Sequence, residues 1–189
     1  MHKLPILLVM LAASAAVAAG PSSFWGSKKL SSIHVPAKVL GKGWEGPAGL
    51  VLDDLTDADK ATKKLPDDER SMVITLASAL KPSGIISCGD FIYTKAASGP
   101  GGDHVTLRVF VFRDNATASK WWRDKYEDQR VQNLYKRAER SQFQAVDSLE
   151  TSKRIVLVEN WLISSQQDRP GKEYLTALDA FLAKVKPSR

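Results

Sequence analysis

The hydrophobic pattern is sharpest near the C-terminus, where Tyr174, Leu175, Leu178, Phe181, Leu182 and Val185 recur on one helical face. This predicts an amphipathic helix over residues 171–185. A second helix is expected from Pro66 to about Leu80, with Pro66 in the first turn and Asp67, Asp68 and Glu69 at its positive end. Its apolar side is Met72, Val73, Leu76 and Leu80, and Lys81-Pro82-Ser83-Gly84 stops it. Asn115 caps a third helix, running to about Gln129, with Ala118, Trp121, Trp122 and Tyr126 at helical spacing. A fainter start, Thr56-Asp57-Ala58-Asp59, resembles a capping box.

Between these helices the pattern is that of strands. Residues 85–95 and 104–113 flank the turn-forming Ser98-Gly99-Pro100-Gly101-Gly102 and predict a hairpin. Residues 143–151, 154–158 and 161–165 predict three more strands, turning at Ser152-Lys153 and Glu159-Asn160. Residues 20–49 read as an N-terminal arm with a short strand over 33–40, docked by Trp25 and Trp44. The expected fold class is α+β: a single antiparallel sheet of about five to six strands, built as hairpin-helix then strands-helix, with helices packed on it.

If Lys95 pairs with His104, then Ile86, Cys88, Ile92, Val105, Leu107, Val109 and Val111 share the core face of the hairpin. The other face then gathers Phe91, Tyr93, Phe110 and Phe112 around Arg108, with Phe110 opposite Gly89. A wet sheet face has no need of four aromatics. Phe91, Tyr93, Arg108, Phe110 and Phe112 are therefore the candidate binding residues, for a partner protein or an amphipathic or anionic ligand. The alternative is that another element, such as the Trp25/Trp44 arm, covers them.

Composition sets this domain in context. His2 and Lys3, an apolar run over 4–17 and the small residues Ala16-Val17-Ala18-Ala19-Gly20 predict a secretory signal peptide, cleaved near Ala18 or Ala19. The run is shorter than the roughly 20 residues of a membrane-crossing helix, so an exported chain without a transmembrane segment is expected. Residues 1–19 are then the signal peptide, 20–49 the arm and 50–189 a single α+β domain. The net charge of +6, to which Lys3 contributes, favours anionic partners.

Candidate chemistry is sparse. Cys88 is the single cysteine, so it predicts a buried thiol and no internal disulfide. In the expected register Cys88 and His104 stand about 23 Å apart, too far for a nucleophilic dyad. Only His34 and His104 follow the leader, and Asp53, Asp54, Asp57 and Asp59 lack the EF-hand spacing, so neither metal nor cofactor is expected. The basic and aromatic residues over 120–140 are diluted by Asp124, Glu127, Asp128 and Glu139, which argues against nucleic acid. Asn115-Ala116-Thr117 is a glycosylation sequon as well as a helix start. The reading is an exported, non-catalytic binding module. Its alternatives are a small enzyme drawing on Asp90, Asp103, His104 and Arg108, and an envelope protein held by its charge.

Overall fold

The computed structural model describes residues 29–56, 62–63, 65–96, 102–127, 133–138 and 143–185. The expected signal peptide, Trp25 and most of the Thr56 capping motif lie outside them.

Eight strands form one antiparallel sheet: β1 (Trp44–Ala48), β2 (Val51–Leu52), β3 (Ile85–Lys95), β4 (Asp103–Phe112), β5 (Tyr135–Arg137), β6 (Gln144–Ser148), β7 (Ser152–Val158) and β8 (Trp161–Gln167). Their order is β1-β3-β4-β8-β7-β6-β5, with β2 also on the outer side of β3. The class is α+β as expected, but the sheet is larger than five to six strands. The additions are β1, β2 and β5. β1 and β5 are interrupted by glycine, proline or charge and β2 has only two residues, and such strands suit sheet edges without showing a periodic pattern. Ser152 and Lys153, expected as a turn, begin β7, because the chain reverses one step earlier, over 149–151.

The helices are α1 (Asp67–Leu80), α2 (Asn115–Trp122) and α3 (Glu173–Val185). α1 and α3 span the expected residues, but the buried stripe of α1 is Val73, Ala77 and Leu80, and Met72, expected on its apolar side, is exposed. α2 ends sooner than expected and continues as a wider π-helical turn, Arg123–Glu127, which brings Tyr126 back under the helix against Trp122, ring centres 4.9 Å apart. Its cap is Asp114 and not Asn115. Asp114 is extended and its carboxylate accepts the Thr117 amide at 2.7 Å, leaving Asn115 as the first helical residue.

Two cores share the sheet. On one face, α3 and residues 30–44 bury Leu30, Val35, Trp44, Phe91, Tyr93, Val105, Leu107, Val109, Trp161, Ile163 and Phe181. On the other, α1 and α2 cover Leu52, Leu80, Cys88, Phe112, Trp122, Ile155, Leu157 and Leu162. Residues 30–44 of the arm therefore contribute to this core. Residues 33–40, expected as a strand, are extended only as far as Pro36 and close in a tight turn, Ala37–Leu40. Tyr93 fastens the arm, its hydroxyl donating to the Val35 carbonyl at 2.9 Å.

The hairpin register is one residue from the expected one: Lys95 pairs with Asp103, Thr94 with His104 and Asp90 with Arg108. Such a slip turns every side chain of one strand to the other face. Phe91 and Tyr93 join Val105, Leu107 and Val109 beneath α3, while Cys88, Asp90 and Ile92 join Phe110 and Arg108. Charge pairing favours this register. In the alternative Asp90 would oppose Val109 and lose the guanidinium it now faces.

Candidate functional site

The expected cluster of Phe91, Tyr93, Phe110 and Phe112 around Arg108 does not form. Phe91 and Tyr93 are buried under α3 and the arm, and Phe112, shifted by a bulge between Ile85 and Ser87, is buried beneath the helices. Gly89 lies opposite Val109, and its bare Cα makes room for Leu30 and Val51, not for Phe110. Arg108 and Phe110 remain half-exposed together on one face.

That face has two halves. Phe110, Leu162 and Leu157 lie side by side under the helical layer, and Phe110 stands at its margin. Further along the strands the central residues turn polar. Asp90, Arg108 and Ser164 form one row across β3, β4 and β8; Ile92, Thr106, Gln166 and Lys153 form the next, reaching β7; Thr94 and His104 form a third. All of these are half-buried, whereas Tyr93, Val105, Leu107, Val109 and Ile163 on the opposite face are inaccessible. The open half is thus a polar, partly desolvated patch at the middle of the sheet, bounded by an aromatic group in which Trp121 meets Phe112 and Tyr126 meets Tyr135.

Arg108 donates from Nε and Nη2 to the two carboxylate oxygens of Asp90 at 2.8 and 2.7 Å, a planar bidentate pair. These bonds raise the guanidinium pKa against the opposing effect of burial. Lys153 is different: burial, and then the nearby Arg108, push its ammonium below the ordinary lysine range. Burial first, then Asp90, pushes the Cys88 thiol up to about 12, so it stays protonated at neutral pH.

Of the residues considered for catalysis, Asp90 and Arg108 pair directly and His104 stands on the same face, four positions along β4, whereas Asp103 turns to the other side. Cys88 lies six positions along β3 from Thr94, the partner of His104, or about 20 Å. Asp103 faces the sealed side and accepts from Gln167 Nε2 at 2.6 Å. Among the described residues no three of His, Cys, Asp and Glu gather as a metal would need, and no helix is long and apolar enough to cross a membrane. The aromatics of the 121–135 region pack against one another, while Lys120, Arg123 and Lys136 are exposed. Sequence reasoning missed Thr106, Ser164, Gln166 and Lys153. The polar-apolar alternation of Thr106-Leu107-Arg108 and the polar run Ser164-Ser165-Gln166 were visible signals, but that these strands are neighbours was not.

No protein-family model matches the chain, and no curated protein matches it in sequence. Its fold is similar to the crystal structure of the extracellular domain of PknH from Mycobacterium tuberculosis, with a TM-score of 0.50 and 10% identity over 83% of this chain and 94% of that one. This likeness concerns the fold.

Proposed function

We propose that the protein is an exported, non-catalytic binding module whose ligand or partner sits on the open half of the sheet around Arg108. The observation that carries this reading is the contrast between the faces: at the same central strand positions one side is sealed by α3 and the arm, and the other holds rows of half-exposed polar side chains. A central sheet patch left half-exposed forgoes apolar burial that a domain of this size can readily supply. Its retention is understandable if a partner supplies the cover. The leader-like N-terminus supports export as the setting, as does a fold shared with an extracellular domain.

The test is a thermal-shift panel of lipids, sugars, polyanions and metals on the wild type and on Thr106→Trp, which fills the centre of the patch. A ligand at a hundred times its Kd adds about 2.7 kcal/mol, several degrees at this size. We expect at least one class to raise the wild-type Tm and to lose that effect in Thr106→Trp. An unresponsive wild type, or a response that survives the substitution in a folded variant, overturns the reading.

A further inference from the structure

On the open half of the sheet the charges of the described residues are not all paired. Arg108 has its counter-ion in Asp90, and the pair is about 30% exposed on each side, at 29% and 31%. Lys153 reaches the same patch from β7, one strand beyond Ser164 and Gln166, and among the described residues no carboxylate pairs with it. Among the described strand residues the other carboxylate on this face is Glu45, exposed on edge strand β1 opposite Thr94, with β3, β4 and β8 between it and Lys153. A half-buried cation beside another cation, without a carboxylate to offset it, is unfavourable for the free protein. An arriving anion relieves that cost.

The donors around this charge narrow the ligand class. Ser164 and Thr106 offer hydroxyls, Gln166 a side-chain amide, and Arg108 keeps Nη1 outside its Asp90 pair. Several donors on one face of neighbouring strands suit a group with several acceptor oxygens, and Phe110 and Ile92 on the same face suit a small organic body. We infer that Lys153 and Arg108, with Ser164, Thr106 and Gln166, form a binding site for the phosphate group of a small soluble ligand. This inference rests on the binding-module reading and names its ligand class. Arg108 is held in its fork by Asp90, so it is a preorganised donor, and Lys153 supplies the uncompensated charge.

The probe is inorganic phosphate, titrated into the isotope-labelled full chain and followed by amide NMR. Saturable shifts are expected in β4, β8 and the start of β7, with affinity falling as sodium chloride is added. Lys153→Gln should weaken binding at least tenfold, and Lys120→Gln, which removes an exposed lysine on α2, should leave it unchanged. Lys153→Met should melt no lower than the wild type, separating loss of the site from loss of the fold. A flat titration, or one that Lys153→Gln does not alter, overturns the inference. Phosphatidylglycerol vesicles form the second arm: Lys153-dependent capture by vesicles, with no response to soluble phosphate, would overturn the soluble ligand in favour of a lipid. Hits from neutral sugars that Thr106→Trp abolishes, without a phosphate response, would sink the anion assignment and leave the binding face standing.

Discussion

At the residue scale, single polar atoms hold the structure at points where the sequence shows only an apolar run. Tyr93 is the clearest: its ring lies in the sealed core, its hydroxyl ties residues 29–44 to β3, and burial pushes its pKa up to about 12. Tyr93→Phe leaves the buried Val35 carbonyl without its donor and should cost about 1–2 kcal/mol in urea unfolding. Because the folded pKa is raised, this contribution is complete below pH 10 and is lost as the pH climbs toward 12. The stability difference between wild type and Tyr93→Phe should narrow over that window; a constant difference would show that the hydroxyl does not carry it. The Asp90–Arg108 pair was legible as two charges in facing strands, but not as a pair. A one-residue change of register decides that, and register depends on the whole sheet.

At the element scale, α2 shows how one cap fixes an element that periodicity leaves loose. Burial acts to raise the Asp114 carboxyl, but the Thr117 amide and hydroxyl and the Arg113 guanidinium outweigh it, and its pKa is lowered. Asp114→Ala should destabilise the protein by about 1 kcal/mol at neutral pH, measured by chemical denaturation. The sign follows from linkage: a lowered carboxyl pKa gives stability that is present above the unfolded value and lost as the pH falls through the folded one. The gap between the two proteins should therefore close in acid, and a gap independent of pH would count against the cap. α1 and α3 were legible because each buries a single stripe against a flat sheet, which is the arrangement that produces a clean helical period. β1, β2 and β5 were not, since an edge strand of two to five residues obtains its order from its neighbour.

At the scale of the whole molecule, the sheet is common to both cores, so neither can be lost alone. Tryptophans report on each: Trp161 lies in the core under α3 and Trp122 in the core under α1 and α2. With fluorinated tryptophan, the resonances of these two residues should disappear at the same denaturant midpoint, as one cooperative unit requires. Separate midpoints would mean that the two layers are independent. The sequence by itself determined the α+β class, the helices α1 and α3, the central hairpin and the buried solitary thiol, because these depend on local periodicity and on residue type. The tertiary structure alone decided which hairpin face is sealed, which strands border which, and that Arg108 and Lys153 share an open surface. Those outcomes turn on a one-residue register and on the pairing of β4 with the distant β8, which no local pattern shows, so they are settled by long-range packing and charge pairing.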